Sequence, residues 1–238
     1  MKKAIIVGAT SGIGKELAQL LVTHNYKVGI TGRRTVLLEE QKSQNPNAYI
    51  TRTFDVTDTT VIEENLNALV TELGGLDLLI ISSGTGAINL KLDFEIEKRT
   101  IDTNVSGFTC VADWGFNYFQ NQKSGHLVAI SSIAGLRGSG VAPSYYATKA
   151  FQINYLEGLR QKAKQIKQPI YITDIRPGFV DTAMALGDGQ FWVSTVEKAT
   201  QQIYKAIKRK KKIVYVTKRW RLIALVLKRI PRQMYDRM

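Results

Sequence analysis

The chain has 238 residues, of which 44% are hydrophobic and 22% charged, with a single cysteine. That balance excludes disorder, collagen-like repeats and a disulfide scaffold, and the length suits one domain better than two. The formal charge of +13 is unevenly placed: residues 205–238 hold 13 Lys and Arg against Asp236 alone, whereas residues 1–204 hold 20 against 19 acidic residues.

In chain order, a first strand over 3–7 leads through a glycine-rich turn into a helix over 12–24, then a strand over 27–31 and a helix over 34–43. Strand 48–54, helix 58–73 and strand 77–82 follow. A helical stretch over 93–121, expected to break once, precedes a strand over 125–131. Helix 144–167, strand 169–175, helix 195–209 with a Ser194-x-x-Glu197 capping box, and strand 212–216 complete the body. Most strands are continuous apolar runs, the pattern of strands covered on both faces. Seven of them alternating with helices predict an α/β fold, a doubly wound parallel seven-stranded sheet in one domain over 1–217, with a basic tail over 218–238. The apolar run Ala4–Val7 is too short for a signal-peptide core, and no stretch reaches the ~20 apolar residues that span a bilayer. The expectation is a soluble, cytoplasmic protein.

The first strand runs into Gly8-Ala9-Thr10-Ser11-Gly12-Ile13-Gly14. Glycines at a sharp strand-to-helix turn let backbone amides approach a pyrophosphate at the helix N-terminus, so Gly8, Thr10, Ser11, Gly12, Ile13 and Gly14 are dinucleotide-binding candidates. The spacing is GxxxGxG rather than the common GxGxxG. After the second strand comes Gly32-Arg33-Arg34, with no acid before Glu39. An acid there would bind the ribose hydroxyls of NAD(H); Arg33 and Arg34 suit the 2′-phosphate, so NADP(H) is preferred over NAD(H).

Tyr145 and Lys149 stand one helical turn apart, and a cation beside a phenol favours phenolate, which would suit Tyr145 to general acid/base work near neutral pH. A second YxxxK, Tyr204 with Lys208, reads as a decoy. Ser132 lies 13 residues before Tyr145 at a strand's C-terminal end, facing the ligand crevice, whereas Phe191 holds the equivalent place before Tyr204. With these motifs in hand, residues 3–185 resemble the short-chain dehydrogenases/reductases, a family with the Rossmann fold. The resemblance implies that Asp55 and Val56 contact adenine, that Asn104, Ser132, Tyr145 and Lys149 form the catalytic set, and that Pro177, Gly178, Val180 and Thr182 lie beside the nicotinamide. Where the family has Asn-Asn-Ala-Gly after the fourth strand, this chain has Ile81-Ser82-Ser83-Gly84: both asparagines are lost, Ser82 would substitute with a shorter hydroxyl, and Ser82, Ser83 and Gly84 would line the cofactor.

The implied chemistry is hydride transfer between NADP(H) and a carbonyl or alcohol. Ser132 would hold the oxygen and Tyr145 exchange its proton. Lys149 would lower the phenol pKa and bind the ribose, and Asn104 would hold a water linking Lys149 to solvent. The alternative is a non-catalytic NADP(H)-binding sensor or scaffold, against which the complete polar set argues. The family's substrate lid falls on 183–192, where Met184, Leu186, Phe191 and Trp192 supply an apolar face and Gly187 and Gly189 freedom to move; either it covers a lipophilic substrate or it packs on the domain. His24 and His126 lack metal-like spacing, so surface or packing roles and no metal are expected, and Cys110 reads as a buried small side chain. A helix from about Lys218 to Pro231 gathers Trp220, Leu222, Ile223, Val226, Leu227 and Ile230 on one side against basic residues on the other. That side either lies on an anionic membrane surface or packs on the body or a second subunit; no specific nucleic acid is expected. A small-molecule substrate and a homodimer or homotetramer complete the expectation.

Overall fold

β1 (Lys2–Val7) sends Ile5 and Val7 to one face of the sheet and Ala4 and Ile6 to the other, and all four are fully buried. A strand covered on both faces belongs in the middle of a parallel sheet, and β1 lies between β2 (Tyr26–Gly32) and β4 (Leu78–Ile81). With β3 (Tyr49–Thr53), β5 (Gly125–Ile130), β6 (Ile170–Pro177) and β7 (Ile213–Val216), the order is β3-β2-β1-β4-β5-β6-β7, and every pairing is parallel. The computed structural model describes residues 1–184 and 191–237.

Helices cover both faces. On one lie α1 (Gly12–Thr23), α2 (Thr35–Gln44) and α7 (Val196–Lys208), contributing Leu17, Leu38 and Ile203 to the core. On the other lie α3 (Ile62–Leu73), α5 (Phe108–Gln122) and α6 (Pro143–Gln165), contributing Leu66, Phe116 and Leu156. The chain winds one way from β1 to β3 and the other from β4 onward, so the loops leaving β1 and β4 diverge and open a crevice at the strand C-termini.

Three expectations need correction. The stretch over 93–121 does not break: α4 (Phe94–Ile101) passes through a π-helical turn, Asp102–Gly107, into α5 with right-handed helical dihedrals at each junction. Gly107 there lies against the Val56 carbonyl, where a Cβ would come within 2.3 Å of the oxygen. The cap of α7 is Thr195, whose Oγ1 accepts from the Lys198 N–H at 3.3 Å, because the Ser194 backbone is already bonded to Phe179 and Asp181. Cys110 is half-buried rather than buried.

The tail folds back on the body through α8 (Trp220–Arg229) and α9 (Arg232–Tyr235). Trp220 and Ala224 are buried and Ile223 and Leu227 half-buried, whereas Leu222 and Val226 are exposed. The single apolar side expected from the sequence is therefore two opposite faces: positions 220, 223, 224 and 227 point inward, and 222 and 226 point away. Arg137 donates to the Leu227 and Ile230 carbonyls at 3.2 and 2.9 Å, closing the C-terminal end of α8.

Candidate active site

The turn after β1 is shaped by close approach. Gly8 has φ +90°, and a Cβ on it would come within 2.5 Å of the Ser83 nitrogen; one on Gly14 would come within 2.0 Å of the Gly8 carbonyl oxygen. Only glycine permits both contacts. Gly8 and Ala9 donate to the Thr31 carbonyl at 3.1 and 2.8 Å, which fixes the loop over the end of β2. Ser11 caps α1 without a side-chain bond to its amides, so these remain directed at the crevice. A narrow glycine cradle before uncapped amides fits a pyrophosphate.

Arg34 folds across this loop: its guanidinium donates to Thr10 Oγ1 at 3.1 and 2.5 Å and to Ser11 Oγ at 2.7 Å. Arg33 reaches the other way, to the Asp55 carboxylate at 3.4 Å. Partial burial raises the Asp55 pKa, but hydrogen bonds from Thr57 and the Arg33 charge outweigh it, and the net shift is downward. Val56 is buried, and its carbonyl receives Gly107. Ser82 donates its N–H to Val7 O at 2.8 Å, Ser83 supports Gly8, and Gly84 faces Asn104 Oδ1 and Lys149 Nζ. A Cβ on Gly12 would meet Thr182 at 3.2 Å, so the 177–182 segment returns to the glycine turn. Ile13 is half-buried beside the core, and Val180 is buried and bridged to Ser194.

The polar set meets at the C-terminal ends of β4, β5 and β6. Ser132, just beyond β5, accepts from the Ala134 N–H at 3.1 Å and lies 3.5 Å from the Pro177 carbonyl. Pro143 opens α6, whose first turns carry Tyr145 and Lys149. Burial pushes the Tyr145 phenol above its usual value, the hydrogen bond with Ser132 draws it back, and Tyr146 adds to the rise. Lys149 moves the other way: burial lowers it to about 8, against the opposing pull of the Asp174 carboxylate. The expected lowering of the phenol by Lys149 is not what this geometry gives. The ammonium lies 5.9 Å from the Tyr145 ring centroid and donates instead to Ile130 O and Gln152 Oε1, both at 3.0 Å.

Asn104 is fully buried in the π-helical turn and brackets one residue, accepting from the Thr85 N–H at 2.9 Å and donating to the Thr85 carbonyl at 2.7 Å. Its Nδ2 also reaches Thr148 Oγ1 at 3.0 Å. Its main-chain carbonyl accepts from Gln152 Nε2 at 2.9 Å. Gln152 is thus the direct link between Asn104 and Lys149. Sequence reasoning missed it, although a glutamine three residues after Lys149, on the same helix face, was a visible signal.

Beside Ser132, Gly178 donates to Val216 O at 2.7 Å and lies under Trp220, whose ring a Cβ there would meet at 2.0 Å. Phe179 and Phe191 approach the Trp220 ring at 5.5 and 5.1 Å, and Trp192 at 6.1 Å. Of the segment expected to form a lid, Phe191 and Trp192 therefore rest on the tail; Leu186, Gly187 and Gly189 lie outside the described residues. The decoy Tyr204 is buried against His24, with ring centroids 4.1 Å apart, and Lys208 lies over its ring, the three lining a cleft with Met1, Lys2 and Tyr26 at the N-terminal ends of β1 and β2.

A family model described as short chain dehydrogenase matches residues 2–190. An uncharacterized oxidoreductase of Myxococcus xanthus is 34% identical over 188 residues, covering 77% of this chain and 74% of its own length. One from Staphylococcus aureus strain USA300 is 32% identical over 186 residues, covering 77% and 80%. Among solved structures, ElxO with NADP bound aligns with a TM-score of 0.79 at 22% identity, covering 90% of this chain and 96% of that one. A short-chain dehydrogenase from Streptomyces avermitilis aligns at 0.79 and 21% identity, covering 90% and 87%.

Proposed function

The chain belongs to the short-chain dehydrogenase family of oxidoreductases, and from that premise we propose that it is an NADP(H)-dependent carbonyl reductase acting on a lipophilic small molecule. The observation that carries this reading is the gathering of Ser132, Tyr145, Lys149, Gln152 and Asn104 at one crevice beside the glycine cradle, with Tyr145 bonded to Ser132 and Lys149 joined to Asn104 through Gln152.

The cradle residues Gly8, Gly12 and Gly14, the uncapped start of α1, and the 177–182 segment would hold the dinucleotide. Arg33 and Arg34 follow directly on β2, with no acid before Glu39, which supports a 2′-phosphate there. When bound, NADPH would supply a hydride for the carbonyl carbon. Ser132 Oγ holds the carbonyl oxygen, and Tyr145 donates the proton that this oxygen gains. The raised phenol pKa keeps Tyr145 protonated, the form that reduction requires. Lys149, anchored by Ile130 and Gln152, stands behind the phenol to restore its proton. The ring cluster of Phe179, Phe191, Trp192 and Trp220 supports an apolar substrate body.

The test is the loss of NADPH absorbance with a panel of aldehydes and ketones. Tyr145→Phe is expected to abolish turnover while NADPH binding, read by cofactor fluorescence, changes less than about threefold. Wild-type turnover by that variant, or equal kcat/KM with NADH and NADPH, contradicts the catalytic or the cofactor assignment respectively.

A further inference from the structure

The inward face of α8 is accounted for by Trp220 and Ala224; its outward face is not. Leu222, Leu225 and Val226 lie on one turn-to-turn row, with Leu222 64% and Val226 54% exposed. Arg229 ends the same row, while Arg221 and Lys228 flank it. None of these three cations has a carboxylate partner among the described residues. An apolar row on a helix edged by cations, opposite a face already anchored to the body, is the pattern of a helix lying in a membrane interface.

The surroundings of α8 share this character. The loop after a 3-10 turn, Ile133–Leu136, holds the tail on one side, with Arg137 bonded to α8 and the Tyr235 hydroxyl donating to Gly138 O at 2.6 Å. On its other side, the Val141 carbonyl accepts from the Asn89 N–H at 2.8 Å. Asn89 anchors a segment in which Leu90, Leu92 and Phe94 are exposed. Gly86, just before that segment, lies against the Tyr145 ring. Exposed apolar side chains on both sides of this loop thus border the mouth above Tyr145.

We infer that this face docks on an anionic lipid bilayer, with the outward row of α8 in the headgroup layer and the mouth above Tyr145 opening toward the lipid. Charge selects the occupant: residues 218–238 carry seven basic residues against one acid, which complements anionic headgroups and opposes a second copy of the same face. No helix among the described residues is long and apolar enough to cross a membrane, so the contact is a surface one. Delivery of a lipid-dissolved carbonyl rests on the reductase reading; docking itself does not.

The experiment is flotation of the full chain with vesicles of phosphatidylglycerol and phosphatidylcholine, against vesicles of phosphatidylcholine alone. The chain is expected to float with the first and not with the second. A triple variant, Leu222→Ser, Leu225→Ser and Val226→Ser, should lose at least tenfold in vesicle binding with thermal midpoint and NADPH binding unchanged. Neutralising Arg221, Lys228 and Arg229 to Gln should lower binding by roughly fivefold per charge. Wild-type flotation by the triple variant overturns the proposal. So does equal binding to neutral vesicles, or a dimer that the triple variant turns into monomer without any vesicle binding. With a long-chain aldehyde, anionic vesicles should raise kcat/KM for the wild type only, leaving a water-soluble aldehyde unaffected. Intact flotation with no carbonyl turned over supports docking and overturns the reductase reading alone.

Discussion

Burial acts on Tyr145 and Lys149 in opposite directions and favours the neutral form of each, raising the phenol and lowering the amine to about 8. The Asp174 carboxylate opposes the fall at Lys149, and Ile130 O and Gln152 Oε1 accept from its ammonium. Gln152→Leu, nearly equal in size, leaves Lys149 and the Asn104 carbonyl each short of a partner. It is expected to lower kcat about tenfold and move the alkaline limb of the rate profile to lower pH, because losing an acceptor disfavours the charged amine. Gln152→Ala opens room for a bridging water and should retain more of the activity. Steady-state pH profiles of the two variants check the order. His126 offers a separate test of burial. Its Nε2 lies 2.7 Å from Thr173 Oγ1, and burial, with a smaller contribution from Lys210, lowers its pKa to about 4. Below its ordinary value of 6.5 the unfolded chain takes up a proton that the folded chain refuses, so stability falls as pH drops from about 6.5 to 4. The loss is on the order of 3 kcal/mol, and His126→Asn should flatten that part of the acid limb in urea titrations. The histidine and the Tyr145–Lys149 pair were legible as residues; their protonation was not, because it depends on how much water the fold removes.

At the scale of elements, the strands were the easiest to read. Continuous apolar runs such as Ile5–Val7 and Leu78–Ile81 can be satisfied only by cover on both faces. Junctions were harder. The stretch over 93–121 carries no proline, and its π-helical turn answers to the Val56 carbonyl, a partner some fifty residues away in sequence. The cap of α7 shifted from Ser194 to Thr195 for a similar reason, since Ser194 is committed to a bridge with Val180. α8 shows the same limit more sharply. A hydropathy pattern merges its two apolar faces into one, and only docking on Gly178 and the aromatic rings decides which is inward. Trp220→Ala should therefore cost about 3–5 kcal/mol, the range for emptying a buried tryptophan site, read as a lower thermal midpoint. It should also raise the KM for apolar carbonyls, because Phe179 and Phe191 lose the ring they lean on.

For the whole molecule, charge and chemistry occupy different parts. The first 204 residues are close to neutral, and the sheet they form places the glycine cradle and the polar line together at one crevice. The basic tail stands beside that crevice rather than in it. If docking is electrostatic, raising salt from about 0.1 to 1 M, which shortens the screening length from roughly 10 to 3 Å, should release most vesicle-bound protein. Carbonyl turnover in free solution should change far less, since the Lys149 contacts are buried. Flotation and kinetics across one salt series check both halves.

By itself the sequence determined the fold class, the glycine turn and the polar side chains proposed to react, because those follow from apolar runs, from positions only glycine can occupy, and from functional groups at fixed helical spacing. Tertiary structure alone decided that Gln152 joins Lys149 to Asn104, that burial rather than the lysine governs the Tyr145 phenol, and that α8 has an inward and an outward face. Each of these depends on groups far apart in the chain brought within a few ångströms of one another, and on the water excluded between them, neither of which a local pattern encodes.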